Sequence, residues 1–126
     1  MPRDSGEGTA GLAMDIAAKA YWTIVEQLYK YARGGALPPM ELAHTRRYVL
    51  ATTGKGESRR DFAVRYSNVR EAPGLSYSIP AFDRSQDRQL VALETGDGGI
   101  ALRDGSETLT VGEFIDKLAR MLIPTP

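Results

Sequence analysis

The chain has 126 residues, a formal net charge of zero and no cysteine, and this length is typical of one ordinary domain with its own core. Its composition, 42% hydrophobic and 25% charged residues, is typical of a soluble protein, and no apolar run approaches the roughly 20 residues of a membrane span, so we expect no membrane contact. The lack of cysteine excludes disulfides, thiolate nucleophiles and cysteine-based metal centres; we predict no metal and no cofactor.

The N-terminal segment is polar and rich in glycine. Residues 1–11 lack the basic-then-apolar order of a secretory signal. They are therefore predicted to form a disordered leader, and the protein is predicted to be cytoplasmic. Residues 12–126 are predicted to form a single α+β domain.

A long amphipathic helix is predicted over about residues 12–33. At 100° per residue, its charged side chains fall on one side and its apolar side chains on the other. The apolar arc is wider than one small sheet needs, which indicates a partner. Trp22, Val25 and Tyr29 are the candidate interface, because Trp and Tyr are favoured where proteins meet. The alternative is that the two aromatic rings pack on another element of the same chain.

A short helical turn is predicted over residues 40–45, because the two prolines before it suit the first turn of a helix. Glu41 and His44 are three residues apart on this turn, so they could face each other as an acid–base pair. A zinc site would need further ligands, and the chain has no other histidine and no cysteine. The plainer interpretation is a surface or capping histidine. With one histidine available for proton transfer near neutral pH, an enzyme is disfavoured.

The middle of the chain is predicted to form an antiparallel meander of about five strands. Segments rich in β-branched and aromatic residues alternate with turn residues. Pro80 cannot donate to a strand ladder, which favours an edge position for its strand. Residues 89–95 are apolar on both faces and are the candidate central strand. The segments predicted to be extended are 46–53, 61–67, 75–82, 89–95, 99–103 and 107–109.

A second helix is predicted to begin at Thr110, where Thr110 and Glu113 form a capping-box pattern. Asp116, Lys117 and Arg120 are expected to face water, and Pro124 to end the helix. The pattern as a whole predicts an α+β fold, in which an antiparallel meander sheet packs against a long N-terminal helix and a C-terminal helix. The predicted buried stripe is Val111, Phe114, Ile115, Leu118 and Leu122.

Basic residues concentrate in the first predicted hairpin, interleaved with aromatic ones. A two-stranded ribbon can enter the major groove of DNA, and arginine contacts both phosphates and bases. Nucleic-acid-binding domains usually carry a net positive charge, however, and this chain has none. The arginines could instead pair with acidic residues after folding. The nucleic-acid candidates are Arg46, Arg47, Lys55, Arg59, Arg60 and Arg65.

Two further patterns carry no specific signal. Residues 53–58 contain Gly-Lys-Gly-Glu-Ser, but the glycine spacing of a phosphate-binding loop is absent, and the segment joins two strands instead of opening a helix. Asp83, Asp87, Asp97 and Asp104 lie in predicted turns and loops, where aspartate is favoured for backbone reasons. Neither pattern predicts a ligand.

The predicted function is a non-enzymatic protein-interaction module, such as an adaptor, a chaperone-like protein or a regulatory subunit. Its expected partner is a second copy, giving a homodimer, or another protein. The alternatives are a nucleic-acid-binding protein that uses the basic hairpin, and a small-molecule-binding or enzymatic domain with a pocket between sheet and helices.

Overall fold

The structure is a computed structural model that describes residues 5–34, 40–67 and 74–122, with side chains from residue 16 onward. It confirms the predicted α+β fold, since one antiparallel sheet shares its core with a long N-terminal helix and a C-terminal helix. The sheet has seven strands, two more than the five or so predicted, and they lie side by side in chain order.

The strands succeed one another as a meander, each antiparallel to the next. Helix α1 spans Ser5–Gly34 and helix α2 spans Val111–Leu122. The strands are β1 Glu41–His44, β2 Tyr48–Thr53, β3 Arg60–Ser67, β4 Gly74–Ser78, β5 Arg88–Glu94, β6 Ile100–Asp104 and β7 Glu107–Thr110.

The predicted leader, residues 1–11, falls partly outside the described residues, because residues 1–4 are not described. Helix α1 begins at Ser5, before the start of the apolar pattern at residue 12. The division of the chain at residue 11 stays a prediction.

The apolar arc of α1 lies on the sheet, as its periodicity predicts. Ala17, Tyr21, Ile24 and Leu28 are each no more than 5% exposed. They pack against the inward side chains of the strands, which alternate with outward ones. The sheet's share of this core is Val49, Ala51, Phe62, Val64, Leu75, Tyr77, Leu90 and Leu102.

Strand β1 corrects the predicted helical turn at residues 40–45. The segment pairs with β2 in antiparallel register, with Leu42 opposite Ala51 and His44 opposite Val49. Leu42 packs on the core from this position. Pairing with a neighbouring strand therefore outweighed the local preference for a helical turn after two prolines.

Strand β4 is the middle strand of the seven, so the predicted edge position was wrong. It ends at Ser78, two residues before Pro80. The proline therefore lies in the following loop and removes no donor from the ladder. The candidate central strand, β5, is the fifth of the seven, so its predicted central position was also wrong.

The start of α2 confirms the predicted capping box. The backbone N–H of Thr110 donates to Glu113 Oε1 at 2.8 Å, and that of Glu113 donates to Thr110 Oγ1 at 3.1 Å. All five residues of the predicted stripe are buried. Pro124 lies outside the described residues. Neither helix, over the described part of the chain, is long and apolar enough to cross a bilayer.

Candidate interaction surface

One flank of α1 carries aromatic side chains that face β1. Trp22 is 42% exposed, and its ring lies edge-on to that of His44, with the ring centroids 5.9 Å apart. Tyr29 lies edge-on to the same imidazole at 5.4 Å, and its Oη is 3.0 Å from His44 Nδ1. We call Trp22, Tyr29 and His44 the aromatic shelf.

The shelf is attached to the core through Tyr21. The Tyr21 ring stacks on Tyr66 at 5.9 Å between centroids and meets Trp22 edge-on at 5.2 Å. Its hydroxyl donates to the carbonyl oxygen of Thr45 at 2.8 Å. Burial raises the pKa of Tyr21 well above its usual value, so this hydroxyl stays protonated and keeps donating. The Tyr21 side chain is therefore held in place, and the Trp22 ring packs against it.

Val25, the third residue of the predicted interface, belongs to the core. It is 4% exposed and is packed within the same buried cluster as Ile24 and Leu28. Of the predicted interface, Trp22 is thus exposed and Tyr29 is half-buried, and the sequence did not associate His44 with them.

The shelf is open because α2 occupies the other flank of α1. A side-chain carbon added at Gly112, in the first turn of α2, would lie 3.1 Å from Tyr31 Oη and 3.8 Å from Gln27 Oε1. On a helical wheel these two residues lie on the side of α1 opposite Trp22. Within the described residues, no second helix covers the sheet beside Trp22.

The shelf residues of α1 belong to a stripe of alternating chemistry. Trp22, Glu26, Tyr29 and Arg33 follow at the i, i+4, i+7 and i+11 spacing that lines up on one helix surface. Glu26 and Arg33 are exposed. The stripe thus presents an aromatic ring at one end, a cation at the other, and a carboxylate and a phenol between them.

Strand β1 is an outer strand of the sheet, with one edge free among the described residues. In an antiparallel pair, hydrogen-bonded and non-bonded residue pairs alternate. The N–H of Thr45 donates to the carbonyl of Tyr48 at 2.8 Å, so Thr45 is hydrogen-bonded to the β2 side. Ala43, two residues earlier, has the same orientation and is also hydrogen-bonded to β2. The backbone groups of Leu42 and His44 therefore point toward the free edge.

An open cleft of about 790 Å³ runs along β1 beside the β2–β3 loop. Ala43 and Leu50 contribute apolar surface to it, Lys55 and Arg59 contribute positive charge, and Glu41 contributes a carboxylate. Arg46 and Arg47 are exposed in the turn at the opposite end of β1. The C-terminal end of this strand is therefore cationic, whereas its N-terminal end carries both signs of charge.

The six basic candidates differ in whether their side chains are paired within the protein. Arg65 is half-buried, and its Nη1 donates to Ser78 Oγ at 2.7 Å and to Asp87 Oδ1 at 2.9 Å; its Nη2 donates to the carbonyl of Ala81. Arg65 thus anchors the loop between β4 and β5 and is internally paired.

Arg59 is also engaged, at the rim of the same loop. Its Nε lies 3.5 Å from Asp61 Oδ2, and its guanidinium carbon lies 5.5 Å from the ring centroid of the exposed Phe82. The other four basic candidates form no ion pair within the described residues and lie at the two ends of β2. They are Arg46 and Arg47 at its start, and Lys55 and Arg60 beyond its end.

Glu41 and His44 do not form the acid–base pair considered from the sequence. On a strand, residues three apart project to opposite faces of the sheet. His44 contacts Trp22 and Tyr29 on the helix side, so Glu41 faces the other side. The hypothesis required a helical turn, and the segment is a strand.

An ionic network centred on the buried Asp104 joins α2 to the sheet, and sequence reasoning missed it. Lys117 Nζ donates to Asp104 Oδ2 at 2.9 Å and to Glu107 Oε1 at 2.8 Å. The Tyr77 hydroxyl donates to the same Asp104 oxygen at 2.6 Å. Asp104, predicted as a turn residue, is the buried last residue of β6. Lys117, predicted to face water, is only 22% exposed. Both predictions are therefore wrong.

The charges of this network are fixed by its contacts. Burial alone would raise the pKa of Asp104, but hydrogen bonds from Tyr77 and Lys117 outweigh it and hold the pKa below its usual value. Hydrogen bonds to Glu107 and Asp104 raise the pKa of Lys117. Both groups are therefore ionised near neutral pH, and every buried side-chain polar atom described has a partner. The network is accordingly assigned a structural role.

Of the four predicted turn aspartates, Asp83 and Asp97 serve the backbone as predicted, whereas Asp87 pairs with Arg65 and Asp104 pairs with Lys117. Asp83 accepts from the backbone N–H of Ser85 at 3.1 Å, and Asp97 accepts from that of Gly99 at 3.2 Å. No group of three or more potential metal ligands comes together in the described ranges.

No protein family, curated protein or solved structure matches the chain. A functional proposal for this protein therefore depends on its own geometry.

Proposed function

We propose that the protein is a non-enzymatic protein-interaction module, of the adaptor, chaperone-like or regulatory kind, that forms a homodimer through the aromatic shelf. The observation that carries the proposal is Trp22, which is 42% exposed on the flank of α1 that α2 leaves open. Tryptophan and tyrosine are the residues most enriched at the energetic centres of protein interfaces. A cytoplasmic location belongs to the same proposal.

A second copy suits this surface because the stripe on α1 is self-complementary. When two α1 helices run antiparallel about a two-fold axis between residues 27 and 28, Trp22 of one copy faces Arg33 of the other. In the same register, Glu26 faces Tyr29. The first contact is a cation–π pair, and the second allows the phenol to donate to the carboxylate. Each of these pairs occurs twice in the dimer.

Sedimentation velocity at tens of micromolar tests the proposal. We expect the wild type to sediment as a dimer and the double variant Trp22→Ala/Tyr29→Ala to sediment as a folded monomer. Arg33→Glu should also weaken the dimer, because it replaces the cation that faces Trp22. Lys30→Glu is the matched control, since Lys30 is exposed on α1 but lies off the stripe. A monomeric wild type would remove the homodimer, and an equal effect of the two charge reversals would remove this register.

A further inference from the structure

We propose that proton binding at His44 tightens the homodimer, so that the dimer Kd falls as the pH drops through the range in which histidine titrates. The inference rests on the homodimer proposed above and names its regulation. The observation that carries it is the contact of 3.0 Å between Tyr29 Oη and His44 Nδ1. Because of this contact, His44 and the partner's Glu26 compete for the one proton of the Tyr29 hydroxyl.

His44 is placed to bind and release a proton at the edge of the interface. It is the only histidine of the chain, it is exposed at the end of β1, and histidine is the side chain whose ordinary titration lies between pH 5 and 8. Its ring contacts both Trp22 and Tyr29 edge-on. A change in the protonation of His44 therefore acts directly on the two aromatic residues of the proposed interface.

The hydrogen bonds of Tyr29 depend on the protonation of this ring. A phenol has one proton to donate. When Nδ1 of His44 carries no proton, it accepts from Tyr29 Oη, and the hydroxyl has nothing left to donate to the partner's Glu26. A protonated imidazole donates from both nitrogens, so the Tyr29 hydroxyl then accepts from His44 and donates to the facing carboxylate. The second neutral tautomer also directs an N–H at the phenol, but it brings no positive charge.

The sign of the effect depends on the charges that the partner adds around His44. The partner's Glu26 attracts the imidazolium through the phenol over roughly 6 Å, which is the 3.0 Å contact plus a hydrogen bond of about 2.8 Å. The partner's Arg33 repels it from across the Trp22 ring. That repulsion acts over roughly 10 Å, because the two rings are 5.9 Å apart and a cation–π contact adds several ångströms. This exceeds a Debye length of about 8 Å, so the attraction is the stronger effect.

The charges of the same copy do not alter this sign. Glu26 and Arg33 are exposed on α1, Arg46 and Arg47 are exposed in the turn after β1, and Glu41 is exposed on the opposite face of that strand. All five are present in the monomer and in the dimer, so they affect the protonation of His44 in both states. Phenols carry no charge between pH 5 and 8, and those near this end of the interface are Tyr21, Tyr29 and Tyr66.

Sedimentation velocity at pH 8 and pH 5.5, at constant salt, tests the inference. The dimer Kd should be about tenfold lower at pH 5.5, which corresponds to roughly threefold for each of two exposed charge pairs. A dimer with the same Kd at both values, or a weaker dimer at pH 5.5, would overturn the inference and leave the homodimer standing. A monomer at both values would remove the homodimer and this regulation together.

Neutral substitutions assign the effect to the chain of contacts. His44→Asn cannot bind a proton in this range, and Glu26→Gln keeps an acceptor for the phenol without its charge. Both variants should still dimerise at pH 8, and their Kd should change by less than about twofold between the two pH values. Glu41→Gln is the matched control and should keep the tenfold change, because that carboxylate faces away from His44. A full pH dependence in His44→Asn would assign it to another group, and one in Glu26→Gln would refute the contact across the interface.

Proton uptake can also be measured directly by calorimetry. Dissociation of the dimer near pH 6.5, where histidine ordinarily titrates, should release protons to the buffer. The heat of dilution should therefore differ between two buffers of different ionisation enthalpy for the wild type and agree between them for His44→Asn. Equal heats for the wild type in the two buffers would show that dimer formation binds no proton, and the inference would fail.

Discussion

The predicted interface contains a core residue, Val25, and an exposed residue, Trp22. Their different roles can be tested with two substitutions of similar stability cost. Fully buried tryptophan covers on the order of 250 Å², so Trp22, at 42% exposure, covers somewhat more than half of that. At about 25 cal/mol per Å² this burial is worth about 3 kcal/mol, and about 2 kcal/mol after the alanine that replaces it is allowed for. Val25→Ala removes two carbons from the core and also costs about 2 kcal/mol.

The two variants should therefore lose similar free energy of unfolding in urea and differ in self-association. A domain of this size has roughly 6 to 19 kcal/mol of stability, so both should remain folded. Truncation of a central interface tryptophan costs about 2 kcal/mol or more, so Trp22→Ala should raise the dimer Kd at least about 30-fold. Val25→Ala should leave that Kd within about threefold. Equal loss of dimer in both variants would show that the effect of Trp22 is only destabilisation, and the reasoning would be refuted.

The remaining predictions concern the ionic network, the β2–β3 loop and the basic hairpin. Because folding lowers the pKa of Asp104, its ionised form contributes stability that is present at neutral pH and is lost progressively as the pH falls below the unfolded value of about 4 and through the folded pKa. Asp104→Asn should be less stable than wild type by about 2 kcal/mol at pH 7, and urea titrations should show this difference shrinking as the pH is lowered below about 4. Gly54→Ala should destabilise the protein more than Gly56→Ala, by about 1 to 3 kcal/mol. Both glycines have positive φ, but of the two only Gly54 would place a Cβ 2.5 Å from a backbone oxygen. Similar melting temperatures of the two variants would contradict this. A labelled mixed-sequence oligonucleotide should not bind at physiological salt, and a salt-dependent complex that is lost in Arg59→Glu/Arg60→Glu would instead favour the nucleic-acid alternative.

Local patterns predicted the helices and most of the strands. The apolar arc of α1 and the buried stripe of α2 follow from helical periodicity, and both are buried as expected. The capping box between Thr110 and Glu113 is determined within four residues of sequence, so no distant contact was needed to predict it. These features are local, and a single sequence contains the information that fixes them.

The meander was predicted, but strand β1 and the interior position of β4 could not be predicted in the same way. Residues 40–45 have no strong alternation, and they are extended because β2 offers them a partner. Pro80 suggested an edge strand, yet whether a proline interrupts a ladder depends on where the strand ends, and β4 ends at Ser78. Whether a basic candidate forms an ion pair likewise depends on the folded structure. Arg65 pairs with Asp87 from another part of the chain, whereas Arg46 and Arg47 have no acidic partner among the described residues.

The sequence by itself determined the α+β class and the apolar and charged faces of the helices, because these depend on residue spacing along one element. Only the tertiary structure decided that α2 lies on one flank of α1 and leaves Trp22 open on the other. It also decided that His44 joins Trp22 and Tyr29, and that Asp104 and Lys117 meet inside the molecule. Contacts between elements distant in the chain depend on how all the elements pack at once, and no local pattern encodes that arrangement.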